Sequence, residues 1–165
     1  MTDEADFRSL LSRVDQWLAE HRPEFHAGLR PGATTDQLRD FEARFGIALP
    51  TTFKIIYGWH DGQEESCTAS LQRNRMFMSL GDIASTKEML DGMIETDFDD
   101  PEWWQTSWVP FLANGGGDYL CVDVNDGRIV AFWHADGDRK AVHSGLEDWL
   151  RGLHTSMADG TYRVV

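Results

Sequence analysis

With 165 residues, the chain has the length for one domain with a substantial core and is short for two. A content of 41% hydrophobic and 26% charged residues excludes a disordered chain, and the lack of any run of about 18 apolar residues excludes a membrane span. The formal net charge of −13, from 28 acids and 15 bases, repels DNA, RNA and anionic lipid and suits a basic partner. The opening MTDEADFRSL is acidic and polar where a signal peptide is basic and then apolar, so a cytoplasmic protein is expected. Cys67 and Cys121 lie far apart with no CxxC-type neighbour, which reads as two free thiols.

Residues 4–20 form an amphipathic helix in this reading. Phe7, Leu10, Leu11, Val14, Trp17 and Leu18 make one stripe, Asp3 and Glu4 complement the positive end of the dipole, and Pro23 closes the segment. A loop with Gly28, Pro31 and Gly32 follows. Thr34-x-x-Gln37 is a capping box for a second helix that buries Leu38, Phe41 and Phe45 and stops at Gly46 in the left-handed conformation. Leu49-Pro50 leads into a third helix, from Thr51 to about Trp59, carrying Phe53, Ile56 and Tyr57 inward. The polar residues 63–75 read as a loop with at most a short strand near Ala69–Leu71.

Met76–Leu80 has the apolar content of a short strand. Ser85-x-x-Glu88 then opens a helix with Met89, Leu90, Met93 and Ile94 inward. After an aromatic anchor, Trp108-Val-Pro110-Phe111, and the soft segment Asn114–Asp118, two strands near 119–124 and 128–134 are joined by Asn125-Asp126-Gly127, a strong hairpin signal. A further turn at residues 135–138 leads to a strand near 139–143. Ser144-x-x-Glu147 opens a last helix with Leu146, Trp149, Leu150 and Leu153 inward, ending near Asp159-Gly160. The order describes an α+β single domain over residues 1–165: a mixed or antiparallel sheet with a C-terminal β-meander, flanked by N-terminal and C-terminal helices.

These pieces resemble the SUKH superfamily, which includes the Smi/Knr proteins. Thr35–Glu42 followed by Phe45-Gly46-Ile47-Ala48-Leu49-Pro50 is similar to the family's early pattern of a helix with an acidic residue, a glycine and Leu-Pro. Phe53-Lys54 and Asp61-Gly62 resemble its helix ending in a glycine turn. Trp108–Phe111, Asn114–Asp118 and Leu120–Asp123 resemble its second block, and Ser144–Leu153 its closing helix. The resemblance covers about residues 34–160, and residues 1–33 read as a variable N-terminal helix and loop. It implies a SUKH-like fold without a general catalytic apparatus. Many bacterial members are similar to immunity proteins that bind and neutralise a cognate toxin, often a nuclease or deaminase, and fungal relatives are linked to regulation through protein contacts. The expectation is a monomeric, non-enzymatic immunity protein acting by stoichiometric occlusion of a toxin. A scaffold or regulator, or a small enzyme or ligand binder, stands as the alternative.

The acid-rich stretch is the preferred partner-binding feature: Glu88, Asp91, Glu95, Asp97, Asp99, Asp100 and Glu102 occur with no intervening base and run into Trp103 and Trp104. Glu88, Asp91 and Glu95 share a helical face, where like charges oppose one another by a few tenths of a kcal/mol per pair. A basic toxin surface would turn that repulsion into faster encounter, with the tryptophans as anchors. The competing description is a solvated acidic face with both tryptophans in the core. Gly115-Gly116-Gly117 lacks the Gly-Lys-Ser/Thr of a phosphate cradle, and Asp123, Asn125 and Asp126 lack the spacing of a calcium loop. His134, Asp136, Asp138 and His143 offer a metal or acid–base set, with His60-Asp61 as a second pair. No HExxH or HxH spacing supports them, so no metal, cofactor or catalytic residue is expected.

Overall fold

A computed structural model describes residues 3–94 and 102–165. The stripe near the start becomes α1 (Glu4–His21), with Asp3 accepting from the Ala5 amide and Phe7, Leu10, Leu11, Val14 and Leu18 buried. Pro23 does more than stop it. It occupies the first turn of a short α2 (Pro23–Ala27), where its missing N–H costs nothing and its fixed φ suits a helix start, and Phe25 is buried there. The segment expected as loop is therefore partly helical.

Thr34 caps α3 (Thr35–Phe45) with both hydrogen bonds of the capping box formed, and Gly46 ends it at φ +64°. The third helix is α4 (Thr51–Trp59), and it buries Phe53, Ile55, Ile56 and Tyr57. Its end is fixed by Asp61 and Gly62: the Asp61 carboxylate accepts from the Leu80 amide at 2.7 Å, and Gly62, at φ +68°, lies so close to the next segment that a Cβ would sit 2.3 Å from the Ser79 nitrogen. Buried Gln63 organises the loop beyond, donating to the Cys67 and Ala69 carbonyls and accepting from the Phe77 amide.

Three expectations for the middle of the chain are corrected. The strand β1 is only Met76–Phe77, and α5 (Leu80–Met93) starts before Ser85, because Ser79 is the cap and accepts from the Asp82 amide at 3.2 Å. Ser85 lies inside the helix. Ile83, Ala84, Lys87 and Leu90 are its buried positions, which turns Met89 outward to 54% exposure instead of inward.

The sheet is antiparallel throughout, in the order β1-β2-β3-β4-β5, with β2 (Trp108–Ala113), β3 (Tyr119–Asp123), β4 (Ile129–Phe132) and β5 (Ala141–His143). The aromatic anchor is thus a full strand next to β3. Proline is tolerated there at an irregularity: the register slips between Pro110 and Leu112, so that Phe111 and Leu112 both reach the larger core. On β3 the alternation is regular, with Leu120 and Val122 facing that core and Cys121 facing the other side. The larger core is closed by α1, α4 and α6 (Leu146–Asp159), the last contributing Leu146, Trp149, Leu150, Leu153 and Met157. The opposite face of the sheet holds a smaller core of Leu90, Trp104, Trp108, Cys121, Val130 and Phe132. Helix α6 has Gly145, not Ser144, at its N-cap and no side-chain cap; the Ser144 amide instead donates to Asp148 at 3.3 Å. Its end at Gly160, φ +79°, is as expected. No helix among the described residues is long and apolar enough to cross a membrane.

Candidate functional site

The acid-rich stretch divides into three parts. Glu95, Asp97, Asp99 and Asp100 lie outside the described residues. Glu88 and Asp91 sit on α5, and Glu102, Trp103 and Trp104 follow on the approach to β2.

Asp91 is an internal acceptor. Lys87, one turn earlier, is completely buried and directs its ammonium to Asp91 at 3.1 Å and to the Thr106 carbonyl at 2.5 Å. Burial pushes the Lys87 pKa down, and the Asp91 carboxylate opposes that shift. The same carboxylate accepts from Trp104 Nε1 at 2.8 Å. Trp104 is 1% exposed and stands edge-on to both Trp108 and Phe132, so its ring is core and its one polar atom is satisfied inside. Trp104 is thus an interior residue of this fold and presents almost no surface. Trp103 is half-buried, with the Arg139 guanidinium 4.4 Å from its ring and Arg139 Nε donating to its carbonyl at 3.0 Å. Glu88 is exposed and forms an ion pair with Arg44 of α3, and Glu102 is exposed. Of the acid-rich stretch, the exposed acids among the described residues are Glu88 and Glu102, beside the interior Lys87–Asp91–Trp104 unit in sequence.

The second set does not gather. His134 pairs with Asp118, which receives both its backbone amide, at 2.9 Å, and its ring, at 2.8 Å. Burial would raise the Asp118 pKa, but these bonds and that from Asn114 hold it below the usual carboxylate range. Asp136 accepts from the Asp138 amide within a turn, Asp138 pairs with Lys140 at 3.2 Å, and His143 lies beside Asp148 at 3.4 Å. Asn114 accepts from the Gly116 and Asp118 amides, making the glycine run a side-chain-braced turn. Asp123 and Asp126 likewise accept from nearby backbone amides in the hairpin.

Sequence reasoning missed a third grouping. Asp15 of α1, His26 of α2 and His60, just beyond α4, bring one ligand atom each within 4.8 Å of one another. The neighbours His60 and Asp61 do not act as a pair: Asp61 faces Leu80 and His60 faces Asp15. No spacing rule finds residues held together by three separate elements. Exposed Trp133 and Val142 were missed as well.

Residues 32–152 match the model of the SMI1/KNR4 family (SUKH-1). The chain belongs to this family. A stretch of 53 residues is 43% identical to the F-box protein SKIP16 of Arabidopsis thaliana, covering 32% of this chain and 12% of that protein. Another, of 56 residues, is 41% identical to KNR4/SMI1 homolog 2 of Debaryomyces hansenii, covering 33% and 10%. Over 170 residues the chain is 23% identical to the SPbeta prophage-derived uncharacterized protein YokK of Bacillus subtilis (strain 168), covering 86% of this chain and 85% of that one. The SUKH-1 chain thus matches only about a tenth of the first two relatives' length and most of the third.

Proposed function

We propose that this SUKH-1 protein is a non-enzymatic, cytoplasmic immunity protein that binds a cognate toxin as a monomer and neutralises it by covering its active site. Family membership over residues 32–152 supports the reading, since many bacterial members of the superfamily it resembles are similar to immunity proteins that bind a cognate toxin. The net charge of −13 supports a basic partner such as a nuclease, because opposite charge raises the encounter rate. Neither nucleic acid nor an anionic membrane fits that charge.

The test is affinity capture from the native host at low and at high salt, followed by inhibition assays on what is recovered. A toxin-domain protein held at equal stoichiometry, whose activity falls to background at one equivalent, is the expected result. A recovered toxin that stays fully active at excess overturns the proposal. Replacing Asp97, Asp99 and Asp100 together with lysine should weaken binding and flatten its salt dependence while stability stays nearly unchanged; unaltered affinity and salt dependence would remove the acidic stretch from the interface.

A second reading has its own support. The short matches to two much longer proteins fit a recognition module used in different settings, and on that reading the chain is an intracellular scaffold or regulator. Capture of non-toxin partners at equal stoichiometry favours it.

A further inference from the structure

We infer that Asp15, His26 and His60 form a binding site for a zinc-class divalent transition-metal ion. Asp15 Oδ1 lies 2.8 Å from His26 Nε2 and 3.6 Å from His60 Nε2. Ligands about 2.0–2.1 Å from a tetrahedral zinc ion are about 3.3 Å from one another, so the two separations bracket what such an ion requires. The imidazole rings are set edge to face, 5.9 Å between centroids at 86°, with both Nε2 atoms turned to the same carboxylate oxygen.

The protonation pattern points the same way. His60 Nδ1 is 2.6 Å from the Arg30 carbonyl, which can only accept, so Nδ1 carries a proton. With Nδ1 so engaged, Nε2 is the ring nitrogen of His60 left to act as a ligand, and it is the one turned to Asp15 Oδ1. An imidazole whose other nitrogen is held by a backbone carbonyl is the usual form of a histidine ligand. Trp59 Nε1 donates at 2.8 Å to the same oxygen, Asp15 Oδ1, and helps to orient the carboxylate. When an ion enters, the proton on His26 Nε2 moves to Nδ1 of the same ring or to solvent. Each side chain is partly open to solvent, giving an entry path, and three protein ligands leave one position for water.

Asp15 and His26 precede the family-matched residues and His60 lies within them, so the ion would fasten the N-terminal helices to the SUKH core. Zinc is titrated calorimetrically into the metal-stripped full chain at neutral pH, with magnesium as the hard-ion control and cobalt absorption reporting the ligand set. One zinc per chain is expected, with no comparable magnesium binding. Asp15→Asn, His26→Gln and His60→Gln should each weaken zinc by about tenfold or more, a loss typical of damaged ligand sets, while His134→Gln leaves it unchanged. Circular dichroism checks that each variant folds, and the cobalt spectrum of the unaltered chain gives an answer if one does not. No zinc uptake, equal magnesium binding, or zinc binding indifferent to all three substitutions overturns the assignment.

Discussion

Gly46 and Gly62 both have positive φ, yet they differ in what surrounds them. At Gly46 nothing lies within 4 Å of an added Cβ, so Gly46→Ala meets only backbone strain, about 1–2 kcal/mol. At Gly62 a Cβ meets the Met78 and Ser79 backbone, which cannot swing aside as a side-chain end can. Strain and overpacking add, and Gly62→Ala should cost about 2–5 kcal/mol. Urea unfolding of both variants checks this; equal losses would mean the segment joining β1 to α5 gives way easily. Asp118 sets a pH dependence at the same scale. Its folded pKa is depressed, so its contribution is present above the unfolded value of about 3.9 and is lost as pH falls through the lower folded value. Stability of the unaltered chain should therefore fall more steeply below about pH 4 than that of Asp118→Asn. Parallel acid limbs in unfolding titrations would contradict this.

Among the elements, α6 closes the larger core, and Trp149 is its central contact. The ring is 3% exposed, lies edge-on to Phe111 at 5.1 Å, and donates Nε1 to Gln72 at 3.0 Å. Trp149→Ala should cost about 3–5 kcal/mol, read by chemical unfolding, and a loss under about 1 kcal/mol would mean the core closes without it. The elements also show what a sequence discloses. The α3 box, the α4 limits and the stop at Gly160 were legible because each depends on residues adjacent in the chain. The strand β2 was hidden because Pro110 argues against a strand interior unless a register slip excuses it. The starts of α5 and α6 were misplaced for a related reason: Ser-x-x-Glu occurs at Ser85 and Ser144, but Ser79 and Gly145 hold the caps. Candidate site residues were harder still. Trp104 and Asp91 look like surface groups beside other acids, and only the buried Lys87 ammonium makes them interior partners.

For the whole molecule, the SUKH-1 family and the α+β architecture followed from the order of motifs, since those are spread along much of the chain. Where function would act did not follow, because charge reports attraction without location. On the proposed reading, an excess of 13 negative charges would speed a basic partner's approach from many directions. The edges of the sheet narrow the ways in which a partner can then hold on. The outer strand β1 has two residues, and β5 has three with an irregular register to β4. An incoming peptide that tried to extend the sheet would find too few unpaired amides and carbonyls for a lasting ladder. On the proposed binding reading, the described residues then offer a partner chiefly side chains, on the faces of helices and turns. Such a grip can be rewritten one surface residue at a time while the backbone beneath it stays the same.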